Sequence, residues 1–327
     1  MNLDISTAAV PAMRSASGSA PAACVDIGGT KVAAYVVDAQ GMHGRQVEPT
    51  VKQGAPGALA EQVLRMVAAA CQEAGIHPGD VAALGVASCG PFVRENGLIA
   101  LASPNICGAL GGGGHGLPND WTSAPLEAPL RGAFKQVCIE NDGIAALQAE
   151  RRWGALQGIN DCAYVTWSTG IGVGLCVGGQ VLRGKNGNAG HAGHMFVSDN
   201  LDALCGCGNI GDVEALVAGS ALPRRFPAYP DAASILIAAK AGETCANGII
   251  DEVCRVLGRA LYNLVVTLDL ERISLGGSVF WHHRDFLLPR LQAHIAGKLP
   301  ALTAGCTLVP AGLQDRVGDF AALALVP

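Results

Sequence analysis

The 327-residue chain is 50% hydrophobic and 15% charged, enough apolar material for two medium domains with real cores and a composition that excludes extended disorder beyond the ends. A net charge of -5, a pI near 5.9 and the lack of any basic cluster argue against a nucleic-acid surface. Of the 12 cysteines only Cys205 and Cys207 are clustered, and scattered single cysteines fit a reducing cytoplasm better than a disulfide framework.

Residues 1–21 are rich in Ala, Ser and Pro, and Asp4 and Arg14 interrupt any apolar run, so they predict a disordered leader without a signal-peptide core. From Cys24 an apolar run reaches Asp26 and Ile27, turns on Gly28 and Gly29, and resumes from Val32 to Val37. Both runs are short and β-branched, which predicts two strands joined by a tight turn. A Walker loop or Rossmann fingerprint needs a helix straight after its glycines, and none is patterned here. In such a hairpin the N–H groups of Gly28 and Gly29 form an anion nest, Thr30 and Lys31 add a hydroxyl and a cation, and Asp26 would hold a hydrated Mg2+. Taken alone, the same residues also suit an ordinary β-turn on a core hairpin.

Gly57–Gly75 carries Leu59, Val63, Met66, Val67 and Ala70 at helical spacing, and Val81–Ala87 reads as a buried strand. Ser88-Cys-Gly-Pro follows as a turn where a domain cleft is expected to open, and Arg94-Glu-Asn-Gly97 makes a hairpin turn into Leu98–Ala102. The glycine-rich stretch Gly108–Asp120 predicts a loop, either beside the active site, at a hinge, or without function. Gln136–Glu140 is a predicted strand and Gly143–Leu156 a helix, with Asn141 and Asp142 at its N-terminal edge. An Asp there is often only an N-cap.

The first motif then recurs. Asp161 to Gln180 again runs apolar strand, Thr-Gly-x-Gly-x-Gly turn, apolar strand, which predicts two related domains facing one another across a phosphate. Thr244–Leu270 is a long helix whose most apolar part holds Arg255, Arg259 and Asp269, which rules it out as a membrane span. Arg272–Leu275 is a strand ending at Gly276-Gly277, Arg284–Leu299 a helix, Cys306–Val309 a strand and Gln314–Leu325 a closing helix.

Asp26-Ile-Gly-Gly-Thr-Lys31, Ser103-Pro-Asn-Ile, Glu140-Asn-Asp142, the second glycine turn, Ala189-Gly-His-Ala-Gly-His194, Cys205-Gly-Cys-Gly-Asn-Ile-Gly-Asp-Val-Glu214 and Gly276-Gly-Ser occur in the order found in the ROK family of sugar kinases, which the chain resembles from about Ala23 to its C-terminus. The resemblance implies an α/β fold of two actin-like (RNase H-like) domains with a central cleft. The smaller would span 22–130 plus 313–327, and the larger 131–312. It further implies ATP and Mg2+, a small-molecule sugar, a homodimer, and neither nucleic acid nor membrane as partner. Asp142 takes the role of general base, Asn105 and Asn141 bind sugar hydroxyls, Gly28, Gly29, Thr30 and Lys31 with Ser168, Thr169 and Gly170 clamp the phosphates, and Gly276 and Gly277 line the adenosine.

His194, Cys205 and Cys207 match the family's structural zinc ligands, but the usual third cysteine is Asp212, whose carboxylate can complete a tetrahedron at some cost in affinity. A zinc there would fix His191, His194 and Glu214 over the sugar; the alternative is an empty site held by hydrogen bonds. Glucokinase-like members carry Glu where this chain has His191, and an imidazole can donate to a carbonyl as well as accept from a hydroxyl, which suits an N-acetyl group at C2. The Ala-Gly-His-x-Gly-His form resembles bacterial N-acetylmannosamine kinases of sialic acid catabolism, which implies phosphorylation at O6. Glucokinase, other hexosamine kinases, a sugar-responsive repressor and a non-catalytic sugar-binding regulator are the competing readings.

Overall fold

The computed structural model describes residues 20–110, 116–199 and 203–327, so most of the predicted leader and five residues of the glycine-rich loop lie outside the described residues. The described residues divide into two compact units.

The first unit is built on strands β1 (Ala22–Ile27), β2 (Lys31–Asp38), β3 (Gly41–Pro49) and, after helix α1 (Ala58–Ala74), β4 (Ala83–Ser88). A small sheet of β5 (Phe92–Glu95), β6 (Leu98–Leu101) and β7 (Ala124–Pro125) follows, then helix α2 (Glu127–Ala133) and strand β8 (Gln136–Asn141). The main sheet has the order β3-β2-β1-β4-β8. β1 pairs antiparallel with β2 and parallel with β4. Every residue of β4 is buried, as expected of a parallel strand covered on both faces. α1 lays the predicted apolar face, Leu59 to Ala70, into this core and stops at Gly75. Asn96 and Gly97, with φ of 51° and 82°, form the tight turn between β5 and β6.

The second unit opens with helix α3 (Asp142–Trp153) and strands β9 (Cys162–Trp167), β10 (Ile171–Val177) and β11 (Gln180–Val181). Helices α4 (Val213–Val217), α5 (Leu222–Arg225), α6 (Ala232–Lys240) and α7 (Thr244–Leu268) lead to β12 (Arg272–Gly276). Helices α8 (Ser278–Trp281), α9 (Arg284–Ala293) and α10 (Pro300–Thr303) precede β13 (Thr307–Pro310) and α11 (Val317–Ala321). Its sheet order is β11-β10-β9-β12-β13. Again the first strand pairs antiparallel with the second and parallel with the fourth, so the repeat seen in the glycine turns extends to the whole sheet. α7, 25 residues long, buries Ile250, Val253, Leu257 and Leu261 in the core.

Several expectations change. The boundary falls between Asn141 and Asp142 rather than near residue 130, because Gln136–Asn141 pairs along β4. At the far end it falls between Ala321 and Ala322 rather than near 312. The closing helix is broken: residues up to Ala321 belong with α3, where Phe320 meets Trp153 at 5.7 Å, whereas the Ala322 carbonyl lies against Gly85 of β4. α9 ends at Ala293 instead of Leu299, since Gly297 and Leu299 have φ of 74° and 46°. Pro21, placed in the predicted leader, belongs to the first unit: its carbonyl accepts from the Ala82 N–H at 2.9 Å. The predicted loop after Gly108 has its two ends tied by Asn119, whose Oδ1 accepts from the Gly108 and Trp121 N–H groups. All 12 cysteines are free thiols, and no described helix is long and apolar enough to cross a membrane.

Candidate active site

In the first unit β1 and β2 meet at the turn Gly28 to Lys31, closed by the Gly28 N–H donating to the Lys31 carbonyl at 2.9 Å. That bond takes one N–H predicted for the nest. Thr30 and Lys31 are exposed. Thr50, at 6% exposure, braces the turn from below: its Oγ1 donates to the Gly28 carbonyl at 2.7 Å and its N–H to the Thr30 carbonyl at 3.0 Å. A Cβ on Gly29 would lie 3.1 Å from the Cβ of Asn105, a tight approach. The turn and Asn105 are therefore immediate neighbours. Asn141 closes β8 at 5% exposure, and Asp26 lies one residue before the end of β1.

In the second unit the turn Ser168-Thr169-Gly170 joins β9 to β10. β10 acts as the spine of the site, because three glycines on two segments pack directly on its main chain. A Cβ on Gly143 would lie 2.9 Å from the Val173 carbonyl, one on Gly190 2.1 Å from the same oxygen, and one on Gly193 2.6 Å from the Ile171 carbonyl. Gly174 in turn meets the Gly143 carbonyl, with room for no side chain. This packing delivers Asp142 and the histidine segment to the same strand. Asp142 Oδ1 accepts from the Gly143 N–H at 2.8 Å and lies 3.9 Å from where a Cβ of Gly172 would stand, two residues beyond the turn.

The other end of α3 is clamped by Glu150, which is fully buried. Its carboxylate accepts from the Ala155, Gly312 and Leu313 N–H groups and from the Ser274 hydroxyl, at 2.8 to 3.0 Å. Nearby, burial pushes the Tyr164 phenol well above its ordinary range, with the charges of Glu150 and Asp142 adding to the effect. A Cβ at Gly276 would lie 2.4 Å from the Tyr164 hydroxyl, and one at Gly277 2.4 Å from the Trp167 carbonyl. These glycines are thus required by the protein's own packing, not only by any ligand.

His194, Cys205, Cys207 and Asp212 converge so that one donor atom of each lies within 4.8 Å of all the others. His194 Nδ1 is 3.1 Å from Asp212 Oδ2 and 3.7 Å from Cys205 Sγ, and Cys207 Sγ is 3.6 Å from Asp212 Oδ2. A tetrahedral zinc with ordinary bond lengths has donor-to-donor edges of roughly 3.3 to 3.8 Å, close to these three separations, and an imidazole, two thiols and a carboxylate are donors that suit the ion. Burial would raise the Asp212 pKa, but hydrogen bonds from His194 and the Ala215 N–H outweigh it and hold it below the usual value. The Asp212 hydrogen bond raises His194 in return. Burial pushes the Cys205 thiol up.

His191 donates through Nδ1 to the Asn188 carbonyl at 3.1 Å. A carbonyl only accepts, so the ring proton sits on Nδ1 and the neutral ring offers Nε2 as an acceptor. Burial, with neighbouring His194, lowers its pKa and keeps it neutral near pH 7. The expected donation to an acetamide carbonyl is therefore corrected: the neutral ring accepts from an N–H or a hydroxyl. Glu214 accepts from the Ile171 N–H at 2.9 Å, against the second turn.

The ROK family model matches residues 22–327, nearly all of the described chain. The chain belongs to the ROK family. A glucokinase of Aeropyrum pernix is 30% identical over 324 residues, 92% of this chain and 95% of that protein. An N-acetylmannosamine kinase of Shigella boydii is 34% identical over 261 residues, 78% of this chain and 82% of that one. The crystal structure of a ROK hexokinase from Thermus thermophilus superposes with a TM-score of 0.71 at 31% identity, covering 93% and 97% of the two chains. The two units are thus the actin-like pair of the ROK sugar kinase fold. Two residues of the site escaped the sequence reading: Thr50 and Glu150 carry no motif, and each acts on groups far away in the chain.

Proposed function

We propose that the protein is an ATP-dependent sugar kinase that phosphorylates the 6-hydroxyl of N-acetyl-D-mannosamine, with Asp142 as general base. The observation that carries the reading lies within the second unit. The carboxylate at the head of α3 is held beside β10, two residues past a glycine turn of phosphate-binding type. Phosphoryl transfer asks the protein mainly for positioning and charge stabilisation, and a carboxylate next to the phosphate grip is what proton removal from the acceptor hydroxyl requires. The Gly143 N–H fixes the Asp142 carboxylate, so the base is oriented before substrate arrives.

Gly28, Gly29, Thr30 and Lys31 in one unit, and Ser168, Thr169 and Gly170 in the other, would hold the triphosphate, with Gly276 and Gly277 at the adenosine. Asp26 would hold Mg2+, which supplies positive charge to the phosphates when bound. Asn105, Asn141, His191, His194 and Glu214 would bind the sugar. An acceptor Nε2 on His191 suits the acetamide N–H of N-acetylmannosamine. It suits a hydroxyl equally, as the family's glutamate does, which is the specific reason to keep glucose as the second reading. A homodimer is also proposed, with exposed Phe196, Leu204 and Ile210 as apolar surface available to it. The test is a panel of sugars with ATP in a coupled ADP-release assay: N-acetylmannosamine should give the highest kcat/KM, and glucose in first place would reassign the substrate.

A further inference from the structure

The second glycine turn does not stand alone; it is held from behind by α4 and the residues after it. The Ser168 carbonyl accepts from the Gly219 N–H at 2.8 Å, and the Thr169 carbonyl accepts from the Ser220 N–H at 3.2 Å and the Ser220 hydroxyl at 2.7 Å. The Ile171 N–H donates to Glu214 Oε2, which fills the space where a Gly170 side chain would be, 2.7 Å from that virtual Cβ. Trp167 Nε1–H, at the end of β9, donates to the Val217 carbonyl at 2.7 Å. Four consecutive groups around the turn are thus set by one segment, 214–220.

That segment begins at the metal cluster. α4 has only five residues, too short to persist by its own hydrogen bonds, so its order rests on its cap and its packing. Its N-cap is Asp212, and the two carboxylate oxygens do different jobs. Oδ1 accepts from the Ala215 N–H at 2.7 Å, while Oδ2 faces His194 and Cys207. A cysteine offers a single sulfur and cannot do both. In addition Cys205 Sγ lies 3.9 Å from Glu214 Oε1, the same carboxylate that supports Ile171.

We propose that occupancy of the His194, Cys205, Cys207 and Asp212 site tightens the grip on nucleotide phosphate, through the α4 cap and the 214–220 brace. The inference rests on the second turn being a phosphate site. Ion binding would tie the four ligand segments together and fix Asp212, hence α4, hence the turn. Because linkage is reciprocal, bound nucleotide raises affinity for the ion by the same factor.

The test is calorimetric titration of ADP into the full chain loaded with Zn2+ and into the same chain stripped by chelator and checked for folding. Loading should tighten ADP about fivefold or more, at the low end of ordinary coupling. S220A removes one bond to the turn without touching the ligands, and should keep its zinc while narrowing the ADP ratio. D212C keeps four donors but loses the second oxygen, so zinc-loaded D212C should bind ADP more weakly than the zinc-loaded parent; this comparison decides the matter if the stripped chain unfolds. Equal ADP affinity in loaded and stripped chains, or in loaded D212C and parent, overturns the inference while leaving the kinase reading intact. Absence of ADP binding in every state overturns both.

Discussion

The Ser274 hydroxyl donates to Glu150 Oε2 at 3.0 Å in the interior of the second unit, where both residues are completely buried. The pair ties the strand that ends at Gly276 to the helix that begins at Asp142.

E150A would leave the Ala155, Gly312 and Leu313 N–H groups without their acceptor, at about 1 kcal/mol or more each. Stability should fall by at least ~3 kcal/mol, and kcat should fall with it because α3 carries Asp142. S274A removes one hydroxyl bond and should cost about 1 kcal/mol with kcat nearly unchanged. Denaturant titration of both variants checks the ratio; equal losses would mean that Glu150 does not organise this seam.

D142N keeps an oxygen able to accept the Gly143 N–H, so the fold and sugar binding should survive. Turnover should drop by about 10²- to 10⁴-fold. Retention of more than a tenth of kcat would remove Asp142 from the role of base.

His191 gives a pH dependence of definite sign. Its pKa in the folded chain lies below the ordinary 6.5, so between pH 7 and 8 the ring is neutral and sugar KM should be flat. As pH falls below 6.5 the unfolded chain takes up this proton first, so stability declines on acidification. Once the folded ring is protonated as well, Nε2 becomes a donor and sugar KM should rise. H191E substitutes an acceptor that protonates about two units lower, and should shift the KM rise to lower pH. An unmoved acid limb would show that His191 does not meet the sugar.

T50A deletes the bond from Oγ1 to the Gly28 carbonyl, worth about 1 kcal/mol. KM for ATP should rise several-fold with little change in sugar KM. A change confined to sugar KM would place Thr50, and the turn above it, elsewhere in the reaction.

Metal analysis of protein purified without chelator should find close to one zinc per chain, and D212A should lower it. Less than about 0.2 zinc per chain in the parent would favour a cluster held by hydrogen bonds alone, such as the one from His194 to Asp212.

Local patterns announced much of this. Both glycine hairpins, the apolar face of α1 and the Asn96-Gly97 turn are short-range features, and the structure forms them where the periodicity put them. His194, Cys205, Cys207 and Asp212, which the family resemblance singled out, do converge in space. What failed to show acts over distance. Thr50 reaches back 22 residues and Glu150 forward 163, so neither leaves a trace in its neighbourhood. β3 was invisible because it is a partly exposed edge strand, with Gly41, Gly44 and alternating polar residues in place of an apolar run. The broken end helix was missed because its apolar residues serve two units, a partition that periodicity does not encode. The direction of the His191 proton depends on the Asn188 carbonyl, which no spacing rule supplies.

The way neighbouring segments lean on β10 through main chain alone has a practical outcome. Gly143, Gly174, Gly190 and Gly193 record no preference for any partner side chain, only the demand that nothing protrude. Enlarging any of the four should therefore inactivate the protein, so a mutant library built on this chain keeps all four as glycine.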